Sequence, residues 1–197
     1  MIPGRELLTV GHSTHDINAF LGLLDSASVE LVVDVRRFPG SRRHPQFASA
    51  ALASSLAAAA IGYEHLPELG GRRPVMPDSP NDGWKVAAFR GYADYLRMPE
   101  FAAGRARLVA LGVRRRTAIM CAEALPWRCH RRLIADVFVL DGWQVLDLMP
   151  SGRLEQHLLP PFARPAEDGL PLYGTGGEPL FGDCNAATVE VRELRRT

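Results

Sequence analysis

At 197 residues the chain suits a single domain, and 47% apolar residues give it material for a core while excluding general disorder. A formal net charge of +1 removes any whole-chain argument for nucleic acid or an acidic membrane surface, so an anion site has to come from local clustering of arginine. Lys85 is the only lysine; every other basic residue is arginine, a bias that codon usage alone produces, so only arginine positions carry information.

Three cysteines, Cys121, Cys129 and Cys184, follow an N-terminus with no basic segment leading into an apolar one. An odd cysteine count without a leader predicts reduced thiols in a cytoplasmic protein. No run of about 18 apolar residues is present, so no membrane span is expected.

In chain order, the apolar run Leu7–Val10 ending at Gly11 predicts a buried strand. Ser13 to Asp16 has the spacing of a capping box, which predicts a helix opening there with Ile17, Phe20, Leu21 and Leu24 inward. Leu31–Val35 is continuous and β-branched, as a strand covered on both faces should be. A loop from Arg36 to Gln46 holds two prolines and four arginines, and an alanine-rich helix is expected over Ser49–Ala60. Tyr63–Leu66 predicts a third strand, stopped by Pro67.

Gly70 to Gly83 reads as a long loop, a lid or a mobile segment. Helices are expected over Phe89–Leu96 and Glu100–Leu111, separated by Pro99. Thr117–Cys121 predicts a fourth strand, Cys129–Leu140 a helix, and Gln144–Leu148 a fifth strand. Strands alternating with helices predict a three-layer α/β fold: a mainly parallel sheet of about five strands with helices on both faces. That domain is expected to span 1–160, followed by a Pro- and Gly-containing extension, 161–197, packed on it or partly disordered.

Ligands of open parallel sheets bind beyond the C-terminal ends of the strands. Those ends carry Gly11-His12-Ser13, Asp34 followed by Arg36 and Arg37, His65 followed by Pro67 to Arg73, and Cys121-Ala122-Glu123 with the later Cys129-His130-Arg131. Four of five strand ends deliver titratable or phosphate-compatible side chains to one edge, which a plain scaffold has no need of.

The stretch from Cys121 to Arg132 supports three chemistries. Cys121 or Cys129 is a nucleophile with His130 or Glu123 as its base. Alternatively, Glu123 and His130 exchange protons while arginines, Arg131 among them, hold an anion. In the third, Cys121, Cys129 and His130 bind zinc; the C-x7-C-H spacing has adjacent ligands and no second C-x-x-C, so zinc is set below the others and no cofactor is predicted. Against all three stands a plain packing role: small buried cysteines and a histidine at a helix start.

The second concentration is Arg36 to Pro45, where Arg36, Ser41 and Arg42 make a phosphate clamp or merely a solvated basic loop. Asp34 either holds Arg36 or acts as a base. His12 and Ser13 are expected where the first helix presents free N–H groups to an anion. No G-x-G-x-x-G or G-x-x-x-x-G-K-[ST] is present. Trp84, Tyr92 and Tyr95 are read as core rather than as a stacking platform for a base.

The segments Thr9-Val10-Gly11-His12-Ser13, Val33-Asp34-Val35-Arg36 with Pro39 and Ser41, Tyr63 to Gly71, Phe89-Arg90-Gly91-Tyr92, and Cys121-Ala122-Glu123 with Cys129-His130-Arg131 together resemble the DUF488 family, a bacterial and archaeal family of unknown function. The resemblance runs in order from about Leu7 to Leu158. It implies a small α/β domain with a parallel sheet, and it supplies no substrate or mechanism.

The expectation that follows is a cleft at the strand ends: Glu123, His130 and Cys121 catalytic, His12, Ser13, Arg36, Ser41, Arg42 and Arg131 on the anion, and Asp34, His65 and Cys129 around them. It would take a phosphorylated, nucleotide-like or nucleic-acid-end substrate. The rival is a non-catalytic module that binds nucleotide or nucleic acid. No membrane partner is expected, and a homodimer is a guess from frequency alone.

Overall fold

The computed structural model describes residues 5–40 and 43–174. Its centre is a six-stranded sheet: β1 (Glu6–Gly11), β2 (Leu31–Asp34), β3 (Gly62–His65), β4 (Thr117–Cys121), β5 (Gln144–Leu148) and β6 (Leu154–Gln156). The strand order is β3-β2-β4-β1-β5-β6. All pairings are parallel except β5 with β6, an antiparallel hairpin at the edge. The fold is therefore three-layer α/β.

Successive strand residues face opposite layers. Leu8, Val10, Val32, Ala118 and Met120 pack under α1 (Ile17–Ser26) and α2 (Ser49–Ala58). Leu7, Leu31, Val33, Ile119 and Val145 pack under α3 (Ala87–Tyr95), α4 (Pro99–Gly112) and α5 (Arg131–Leu140). A strand covered on both sides has no polar face, which is why β2 and β4 read as unbroken apolar runs.

The first helix opens later than the capping-box spacing predicts. Asp16, not Ser13, is its N-cap and accepts the Ala19 N–H at 2.9 Å. The reason lies in the ladder. The His12 and Ser13 N–H groups continue the β1–β4 pairing to the Cys121 and Ala122 carbonyls at 3.0 Å each, and Ser13 turns at φ 49°. Helix α5 is likewise shorter than expected. A 3-10 turn over Pro126–Arg128 leaves Cys129 extended and His130 at the N-cap.

The loop 70–83 is tied down rather than built as a lid. Buried Asp94 accepts the Met76 N–H at 2.9 Å, the Ser79 hydroxyl at 2.6 Å and the Asn81 amide at 2.9 Å. Asn81 in turn accepts the Tyr173 N–H. Trp84, Tyr92 and Tyr95 lie in the core. Residues 161–174 pack on the domain through a hairpin of β7 (Ala163–Pro165) and β8 (Pro171–Tyr173), with Tyr173 fully buried. Among the described residues, no helix is long and apolar enough to cross a membrane.

Candidate functional site

The chain leaves β2 toward β3 on one side and leaves β4 through α5 toward β5 on the other. Between those strand ends a parallel sheet opens a crevice, and here a cavity of about 230 Å³ is lined by Arg36, Arg37, Phe38, Gly71, Arg72, Cys121, Ala122, Glu123 and His130. A larger cavity, about 440 Å³, opens at the opposite edge among Arg5, Glu6, Glu30 and Arg114 to Arg116. It holds no thiol or histidine, and Arg116 there is paired with Glu6, so the smaller cavity is the chemical one.

Several arginines counted from sequence are consumed by the fold. Arg36 is 7% exposed. It donates to Asp34 through Nε at 2.8 Å and Nη2 at 2.6 Å, and to the Phe47 carbonyl. Its Nη1 donates to His12 Nε2 at 3.2 Å. Asp34 also accepts the Tyr63 hydroxyl, so of its two expected roles the structure has it holding Arg36. Burial, then the Arg36 charge, lowers the His12 pKa to about 4. The neutral ring donates from Nδ1 to the Ser13 carbonyl and stacks on Phe47 at 4.1 Å.

Arg131 departs furthest from its expected anion role. It is fully buried and donates to the carbonyls of Glu123 and Ala124 and to Thr9 Oγ1. It clamps the loop after β4 over the end of β1. Gly11 permits that crossing, since a Cβ there would lie 1.8 Å from the Glu123 carbonyl oxygen. His65 is half-buried and donates from Nε2 to the Arg36 carbonyl. It does not line the cavity. His12 and Ser13 have spent their N–H groups on β4 and offer an anion none. Ser41, Arg42 and Cys184 lie outside the described residues.

Among the described residues, the cations of the cleft without an ion pair are Arg37 and Arg72. Arg37 Nη1 donates to the Arg72 carbonyl at 3.2 Å, which keeps the two segments together. Arg72 sits at φ 61°, a conformation that costs a side-chain-bearing residue about 1 kcal/mol or more. The sequence places Arg37 after β2 and Arg72 beyond β3 and its 3-10 turn, but neither is among the anion-site residues expected from it. Glu123 stands exposed on the cleft wall.

At the floor, Cys121, Cys129 and His130 converge, their Sγ, Sγ and Nδ1 atoms all within 4.8 Å of one another. These are the residues that could hold a metal. The hydrogen bond to Cys129, then burial, pushes the Cys121 thiol far up. Burial also opposes ionisation of Cys129, but the Cys121 hydrogen bond and the Arg131 charge outweigh it and bring that thiol down to about 7. His130 donates from Nε2 to the Val35 carbonyl at 3.1 Å. The expected Glu123–His130 pair thus shares a cavity without touching.

A second polar centre was not anticipated. His157 bridges Asp136 (2.9 Å) and Asp147 (2.8 Å), while Thr9 donates to Asp147 and Tyr173 to Asp136. The group is buried under α5 and β5 and joins four elements. The only hint in sequence was Asp147 on an otherwise apolar strand.

No curated protein and no solved structure matches the chain. The family model described as a domain of unknown function, DUF488, matches residues 16–138. The match is narrower than the resemblance drawn from Leu7 to Leu158, leaving β1 and β5 outside, but it contains Arg37, Arg72, Cys121, Glu123, Cys129 and His130. It covers well over half of the 197 residues, and on that ground the chain belongs to the DUF488 family.

Proposed function

We propose that the cleft between β2 and β4 binds an anionic, phosphate-bearing ligand, a nucleotide-like small molecule or a nucleic-acid end, and that the protein is an enzyme acting on it. The observation that carries this reading is that Arg37 and Arg72, neither of them ion-paired among the described residues, both line the cavity at the strand ends. Guanidinium groups offer paired donors that match phosphate oxygens. Arg72 moreover sits on a strained backbone at φ 61°, and such strain clusters at ligand-binding sites.

Glu123 is the acid–base group of this proposal because it is the exposed carboxylate on the wall. The hydrogen bond that Cys121 shares with Cys129, and then burial, favour its protonated form, which makes that thiol a weaker nucleophile. His130 has its Nε2–H occupied by Val35.

A thermal-shift screen of the whole protein against phosphate, nucleotides, sugar phosphates and short oligonucleotides tests this. A ligand at about 100 times its Kd should stabilise by about 2.7 kcal/mol. The shift should vanish when Arg37 and Arg72 are both replaced by alanine, and turnover of the ligand found should collapse in Glu123→Gln. A shift with no turnover makes the protein a binding module; no shift with any anion ends the proposal.

A further inference from the structure

Cys121 closes β4, Cys129 ends the 3-10 turn and His130 caps α5. His130 Nδ1 lies 3.9 Å from Cys121 Sγ and 3.7 Å from Cys129 Sγ. In a tetrahedral zinc centre, with Zn–S about 2.3 Å and Zn–N about 2.0–2.1 Å, sulfur and nitrogen ligands lie about 3.6 Å apart. Both sulfurs thus already stand at nearly the distance from Nδ1 that the ion requires, and they lie within 4.8 Å of each other.

The histidine is held for this task from three sides. Its Nε2–H donates to the Val35 carbonyl, which leaves the Nδ1 lone pair aimed at the sulfurs. A ring fixed through its remote N–H by a backbone carbonyl is the usual outer-shell arrangement of a metal-bound histidine. Gly71 lies against the ring: a Cβ there would be 2.8 Å from Nδ1 and 3.0 Å from Cγ. Tyr92 packs beside it, ring centroids 5.0 Å apart.

The backbone explains how neighbours in sequence reach one point. Cys129 is extended (φ −131°, ψ 144°) and His130 helical (φ −58°, ψ −22°), so the chain turns between them. The charges agree as well. Two thiolates would neutralise a divalent cation in a buried place, and thiolate with imidazole favours zinc over the oxygen-seeking cations.

We propose that Cys121, Cys129 and His130 form a zinc site with three protein ligands, its fourth position open to the cleft that Cys121 and His130 line. Three protein ligands and one open position distinguish a reactive zinc from a structural one. The site does not rest on the anion-binding reading and stands or falls separately from it.

The test uses the whole chain purified under reductant. It should carry about one zinc per chain by elemental analysis. After chelation, cobalt should restore thiolate-to-cobalt charge-transfer absorption and the visible bands of a tetrahedral centre. His130→Gln and Cys129→Ser should weaken cobalt binding by more than the roughly 10–100-fold that outer-shell changes cost, and Cys184→Ser should leave it unaltered. His130→Gln, on the cleft floor, is compared with wild type in the metal-free state by circular dichroism, so loss of metal is not confused with loss of fold. Azide should alter the visible bands through the open position. A wild-type chain that takes up no thiolate-bound cobalt overturns the proposal, as does unchanged affinity in a folded His130→Gln chain. A cobalt spectrum that azide leaves untouched overturns the open position.

Discussion

Arg72 separates binding from stability at a single residue. Its backbone stands at φ 61°, where glycine is at ease and arginine is not. Arg72→Gly should therefore hold or raise the melting temperature, by relief of about 1 kcal/mol, while weakening the anion-induced thermal shift. A fall in both would mean that the side chain supports the fold instead. Arg36 should behave in the opposite way. Removing it leaves Asp34, fully buried, as an unpaired charge, and such losses cost about 3–5 kcal/mol. Arg36→Ala is expected to show that loss in chemical denaturation whether or not ligand is present. Sequence presented both residues as arginines after strands and gave no sign of which one the fold would consume. That depends on partners distant in the chain, Phe47 and His12 for Arg36 and Thr9 for Arg131. The location of the site was legible because it needs only strand ends; the assignment of each guanidinium was not.

At the scale of elements, the five parallel strands were legible because β1, β2, β4 and β5 are short, mostly apolar runs between turns. The edge strand β6 was not, since Leu154–Gln156 is exposed throughout and has no apolar face to announce it. Helix starts were misplaced where the chain had other uses for its backbone: residues 12 and 13 extend a ladder, and residues 126–128 make a tight turn first. These departures shape the cleft. Because β1 runs on past its apolar segment, the loop after β4 is held across its end, with Glu123 and Ala124 gripped by Arg131. Gly11→Ala should force this loop outward, because the added methyl overlaps the Glu123 carbonyl. Lower stability and a weakened anion shift are expected together. Retention of both in thermal-shift measurements would mean that the loop yields without moving Glu123.

Across the whole molecule, two buried histidines impose opposite pH dependences. His12 packs between Phe47 and the Arg36–Asp34 pair, and its folded pKa, about 4, lies below the ordinary 6.5. The stability it contributes is complete above pH 6.5 and is lost as pH falls from there toward 4, because the unfolded chain takes up the proton first. For His157, burial lowers the pKa but Asp136 and Asp147 overcome it and raise it to about 9. Its contribution is complete below pH 6.5 and is lost as pH rises toward 9, because the unfolded chain releases the proton first. Each window spans on the order of 3 kcal/mol at 1.36 kcal/mol per unit. Stability measured by urea titration across this range should therefore peak near pH 6.5 and fall on both sides. Replacing His157 with glutamine should lower the whole curve, since Asp136 and Asp147 lose their common partner, and should flatten its alkaline limb while the acid limb keeps its slope. A substitution that flattened the acid limb instead would place the alkaline dependence on another group and dissolve the link between this bridge and the fold.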